Sequence, residues 1–132
     1  MSLSTFSYIV SAMEFLAAAS FLAAPGQTAD WFHKLTEDDV TLRVVGAFFF
    51  VISFLALTRG VAVGVSVEGL VRLTVWIGVL KSLLMCWWPQ RMIGNMEMVF
   101  SRPALVRPFG LLALAAGVLF LLAGNYLQWT GL

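Results

Sequence analysis

Four stretches of this chain are long and apolar enough to cross a bilayer, and they leave little else to fold. They run over roughly 6–24, 42–58, 70–88 and 104–123. A crossing takes about 20 mostly apolar residues in a helix, and within a single segment the helix is the form that satisfies its own backbone in lipid. Pro25-Gly26 stops the first stretch, Arg59-Gly60 the second, Pro89 the third and Gly124-Asn125 the fourth. Pro108 is placed in the first turn of the fourth helix, where a missing N–H is tolerated. The rest of the composition agrees: 61% of the 132 residues are hydrophobic and only 11% are charged, against ~25% charged in a typical soluble domain. That excludes a water-soluble globular domain. A net charge of +1 also provides no basic footprint for nucleic acid. The sequence therefore predicts an all-α integral membrane four-helix bundle, a single transmembrane domain over 1–132.

The first stretch has no Lys or Arg before it and carries Glu14 in its middle. A secretory signal wants a positive n-region, so this stretch is expected to be a retained span. Orientation follows from the basic residues. Lys34, Arg43, Arg91, Arg102 and Arg107 flank the 1–2 and 3–4 connections, while Arg59 and Arg72 lie on the opposite side. Loops 25–41 and 89–103 are then expected in the cytoplasm and both termini outside. Trp31, Trp87 and Trp88 fall near the loop side, and Tyr8, Trp76, Tyr126 and Trp129 near the terminal side. Trp and Tyr gather at such interfaces because one end of the ring is apolar and the other hydrogen-bonds.

The punctuation of the chain repeats. Pro25 and Pro89, Arg43 and Arg107, and Gly46 and Gly110 are each 64 residues apart, and Leu55/Leu119 and Leu57/Leu121 keep the register. Two tandem parallel helical hairpins follow, over about 1–60 and 65–124, related by a pseudo-two-fold axis along the membrane normal. In each, Arg43 or Arg107 anchors at the interface and Gly46 or Gly110, one turn inside, permits close helix packing.

The second unit, Leu80-Lys81-(x)7-Pro89 followed by Arg102-Pro103-(x)3-Arg107-Pro108-Phe109-Gly110, resembles a family of small uncharacterised bacterial inner-membrane proteins. These are two-helix hairpins with a Pro-basic loop, a Leu-Pro and a Leu-Arg-x-x-Gly. The resemblance covers about half of the chain. It departs where the family carries an acidic residue before the proline and this chain has Lys81. It implies a membrane hairpin in a bacterial inner membrane and no activity.

Two charges lie deep inside predicted spans. Glu14 and Lys81 precede Pro25 and Pro89 by eleven and eight residues, a depth difference of only ~4–5 Å at 1.5 Å per residue. A charge at the bilayer centre costs ~2.5–3.5 kcal/mol on insertion scales and usually finds a partner. The repeat axis should turn the first and third helices toward each other, so Glu14 and Lys81 are expected to form an interhelical ion pair. His33 is the one residue placed to ligate a tetrapyrrole, and the ring-rich run Phe48-Phe49-Phe50 with Phe54 offers a face to a pigment or quinone. Bound lipid is a further possibility. Glu37-Asp38-Asp39 suits a helix N-terminus, and Glu68 and Arg72 are spaced to pair at i,i+4. Cys86 sits in an apolar run, where a thiol is inert.

There is no Ser-His-Asp set, no phosphate-cradling loop and no His/Cys/carboxylate cluster. The sequence thus points away from an enzyme. It points to an accessory subunit that assembles or stabilises a larger membrane complex, through other membrane subunits and lipids. A respiratory or photosynthetic electron-transfer complex is the host expected from how small subunits of this kind are used. The rival classes are a small oligomeric transporter or proton/ion-conducting module built on Glu14 and Lys81, and a pigment-, quinone- or lipid-binding subunit.

Overall fold

The computed structural model describes residues 2–88 and 103–131. The described chain is helical, with helices α1 (Leu3–Ala23), α2 (Pro25–Glu37), α3 (Asp39–Leu57), α4 (Val67–Trp87) and α5 (Pro103–Trp129). Four of these, α1, α3, α4 and α5, are long and apolar enough to span a membrane. The expected loop at 89–103 lies outside the described residues except for Pro103, which is the first residue of α5.

The 64-residue spacing of the sequence recurs in the backbone. Ser2 and Ser66 both cap a 21-residue helix, each side-chain oxygen accepting the N–H three residues on at 3.2 Å. Ala24 and Trp88 both end one, with φ/ψ of −140/66 and −130/61 and an N–H donated four residues back. Asp39 and Pro103, again 64 apart, open α3 and α5.

Packing follows the same spacing but not the expected hairpins. α1 lies along α5 and α4 along α3; contacts between these two pairs are sparse. Each close pair therefore takes one helix from each half of the chain. Small residues explain why. On α5, Gly110, Gly117 and Gly124 recur every seven residues, the interval that keeps one helix face on its neighbour. A methyl group at these positions would lie 2.9 Å from Phe21 Cβ, 3.0 Å from the Phe15 ring and 3.0 Å from the Tyr8 ring. On α3 a methyl at Gly46 would lie 2.8 Å from Met85 Cβ and 3.1 Å from Cys86 Sγ. Met85 and Cys86 stand 64 residues beyond Phe21 and Leu22, the two residues that crowd Gly110. Gly60, 64 before Gly124, has φ +154 and lies under Arg72, 64 beyond Tyr8.

Three boundaries differ from the sequence reading. The expected loop 25–41 contains α2, with Pro25 at its first position, as suits a residue without an N–H. Thr28 Oγ1 donates to Ser20 O at 2.8 Å and Phe32 stacks on Phe21 at 5.6 Å, which folds α2 back across the ends of α1 and α5. Gly124-Asn125 does not end α5, which runs on to Trp129. The equivalent stretch after Leu57 turns at Gly60, with φ +154, and enters α4 at Val67. Pro108 lies beyond the first turn of α5, because the helix already begins at Pro103.

A core shared by the two pairs, formed by Leu3, Phe6, Ala56, Val71, Val75 and Leu127, sits toward the terminal face. At the opposite face, Asp38 caps α3. The Thr41 hydroxyl, then the Thr41 and Val40 amides, hold its carboxyl below the usual carboxylate range. The folded value is depressed, so the cap contributes above the ordinary carboxylate range and is lost as pH falls through the folded value. Protection of the amides at the start of α3, read as exchange corrected for the intrinsic pH dependence of free amides, should weaken as pH falls through the folded value, and Asp38→Ala should remove that added dependence. In the packing seams, Gly117→Leu and Gly46→Val should each destabilise the protein by about 1–3 kcal/mol through overpacking. Gly26→Ala, with nothing within 4 Å, should leave thermal unfolding in detergent at the wild-type temperature or slightly above it.

Candidate functional site: the intramembrane charges

Hydroxyls inside the spans are largely occupied in holding backbone. Ser7 Oγ donates to Phe120 O at 2.6 Å and Ser11 Oγ to Gly117 O at 2.7 Å, both across the α1–α5 seam. Ser82 Oγ donates within α4 to Gly78 O at 2.6 Å. Tyr8 reaches Asn125 at 2.5 Å and Gln128 at 2.9 Å, so it ties α1 to α5 as well as standing near the surface. The Cys86 thiol contacts Arg43 O at 3.6 Å. These serines went unremarked in the sequence, although Ser4, Ser7 and Ser11 recur at i+3 and i+4 and are all buried.

Among the described residues, Glu14 and Lys81 are the two ionisable side chains well inside the spans that belong to no such contact. Glu14 continues the α1 row of Leu3, Phe6 and Val10, the side that feeds the shared core. Lys81 continues the α4 row of Val71, Thr74 and Gly78. Glu14 is half-buried and Lys81 exposed. Lys81 is close enough to act on Glu14 electrostatically, yet among the described residues the ion pairs within 4.0 Å are His33–Glu37, Arg43–Asp39 and Arg72–Glu68. The expected Glu14–Lys81 pair is thus not closed. The two residues belong to different close pairs of helices, and these pairs share their core toward the terminal face, away from Lys81. The 64-residue register sets Gly78 opposite Glu14 in number and Ala17 opposite Lys81, so the charges occur once and not twice.

The other singled-out residues mark the two faces. Arg43 is exposed, 3.6 Å from Asp39 one turn before it, and Arg107 is exposed at the matching end of α5. Trp31, Trp87 and Trp88 are exposed at the loop end and Trp129 at the terminal end. Trp76 is nearer mid-helix than its assignment to the terminal interface implies, and its indole N–H donates to Val61 O at 3.2 Å. His33 lies on α2 with Nε2 3.4 Å from Glu37 Oε1, so the imidazole expected to ligate a tetrapyrrole is engaged by a carboxylate. Glu68 and Arg72 pair at 2.5 Å, and the Arg72 guanidinium closes over Gly60.

Between α4 and α5 runs an apolar groove of about 300 Å³, lined by Val67, Leu70, Val71, Thr74, Leu119, Phe120 and Ala123. Thr74, the polar member of this set, donates its hydroxyl to Leu70 O. The position matching Leu70 in the other half is filled: Phe6 is 3% exposed where Leu70 is 51%.

No known protein family, curated protein or solved structure matches this chain.

Removing Ser11, by Ser11→Ala, should cost about 0.6 kcal/mol, the typical worth of an interhelical hydrogen bond in a membrane. A double-mutant cycle of Glu14→Gln and Lys81→Met should return a coupling well below that of a closed pair, with unfolding in detergent as the readout. A coupling of several kcal/mol would show that the two side chains meet.

Proposed function

We propose that this integral membrane protein is a non-catalytic accessory subunit that braces or assembles a larger membrane complex. The observation that carries this reading is the outward face of α3. Val40, Val44, Phe48, Val51 and Leu55 recur at i+4, i+4, i+3 and i+4 and are all exposed along the length of the span. Phe48 is 62% exposed, and next to this ridge Phe50 stacks on Phe54 at 6.2 Å. In lipid no hydrophobic force drives helices together, so association depends on shape and close packing. A ridge of β-branched and aromatic side chains is stiff at χ1 and presents such a shape to a neighbouring helix.

The interior supports the same reading. Ser7, Ser11 and Ser82 direct their hydroxyls at carbonyl oxygens within and between helices, which builds a brace and leaves those groups satisfied as donors. Only 17% to 28% of each span is buried, so most of the span surface faces outward. An electron-transfer complex, respiratory or photosynthetic, is the host class we favour, and a bacterial inner membrane with the loop face cytoplasmic is the setting.

Gentle solubilisation from native membranes tests the proposal. Wild-type protein should migrate in an assembly larger than itself on native gels. Phe48→Ala with Val51→Ala should release it from that assembly while its own thermal unfolding stays unchanged, because neither side chain is in the shared core. Wild-type protein that runs alone or as a homo-oligomer overturns the proposal.

A further inference from the structure

Lys81 raises a question that neither the fold nor the brace answers. Ala17 occupies the equivalent position in the first half, so the architecture does not require a long or charged side chain there. Glu14 does not hold it in a contact pair. An ammonium group in a span should nevertheless have a counter-charge, and this one is on the outside of the bundle.

Its surroundings say what that counter-charge is. Lys81 is seven residues before Trp88, about 10 Å along the helix at 1.5 Å per residue. Trp87 and Trp88 are both exposed and form the ring-bearing belt that marks the membrane–water boundary. A lysine at this depth lays its four-carbon stem along the apolar surface and carries its ammonium toward that boundary. The neighbouring outward positions, Ile77 and Leu80, are exposed and apolar, a surface for acyl chains. α2 packs on α1, α3 and α5 but does not reach α4 among the described residues.

We propose that Lys81 is an anchoring site for the phosphate of an anionic phospholipid in the leaflet at the loop face, with its acyl chains against Ile77 and Leu80. A phosphate is a compact anion that a single ammonium can meet as a point charge, and a lipid brings it to the depth at which Trp88 stands. A lipid with no cationic headgroup leaves the phosphate free for the lysine.

Native mass spectrometry of the purified full chain tests this, with phosphatidylglycerol and phosphatidylcholine added in equal amounts. Wild-type protein should retain phosphatidylglycerol in preference by about fivefold, the worth of one basic residue near an anionic surface. Lys81→Met should bring the two lipids to near parity, and Lys81→Arg should keep the preference. Glu14→Gln should keep or increase it, and millimolar inorganic phosphate should leave it intact. Circular dichroism of each variant establishes that the helices are present. A folded Lys81→Met protein that keeps the preference, or a preference abolished by inorganic phosphate, overturns the inference. So does loss of the preference in Lys81→Arg, which would tie binding to a contact specific to lysine within the protein and not to phosphate.

Discussion

Close approach of two backbones at glycine is the constraint on which the structure depends. Lipid tails are as apolar as leucine, so burying a leucine between helices gains little inside a membrane; what holds spans together is contact at short range and hydrogen bonds between them. Gly110, Gly117 and Gly124 provide the first by letting Phe21, Phe15 and Tyr8 sit directly on the α5 backbone. That proximity then provides the second, since Ser7 and Ser11 reach the carbonyls of Phe120 and Gly117 only because no side chain intervenes at Gly117. Gly46 plays the corresponding part on α3, and there the thiol of Cys86 reaches Arg43 O.

This hierarchy divides the molecule into two stiff units and one soft boundary. Each glycine seam joins a pair of helices along most of its length, whereas among the described residues the pairs meet each other around the cluster of Phe6 and Val75 and through α2. Glu14 and Lys81 lie beyond the reach of that cluster, which is why two opposite charges at similar depth remain unclosed. The same boundary shapes the groove between α4 and α5: Phe6 fills the space on one side of the bundle, and Leu70, pointing outward, leaves it open on the other.

Much of this was legible in the sequence, and the parts that were not have physical causes. The four spans follow from hydrophobic length alone, since the membrane filters for it. The spacing of Pro25/Pro89 and Gly46/Gly110 anticipates caps and seams that recur 64 residues apart. What the sequence did not show was which helices touch. Adjacency in the chain suggests α1 against α3, but the glycine interval on α5 matches the ring positions of α1, and contact chemistry overrides connectivity. α2 was read as a loop because its apolar residues are few. Thr28 and Phe32 suffice to hold it, since Ser20 O and the Phe21 ring are already in place at the end of α1. The intramembrane charges were visible as residues but not as geometry: periodicity assigns a face and cannot give a separation.

The exchange of helices between the two halves also sets an order on biogenesis. α3 and α4 are consecutive spans, so their seam can close as soon as the second of them has entered the bilayer. α1 enters first and packs last, because its partner is the 27-residue helix at the other end of the chain. Through the insertion of two further spans, its serine row faces lipid or the insertion machinery instead of the α5 carbonyls. A chain arrested after α4 and before α5 thus holds one closed pair and one helix whose serine row has no partner.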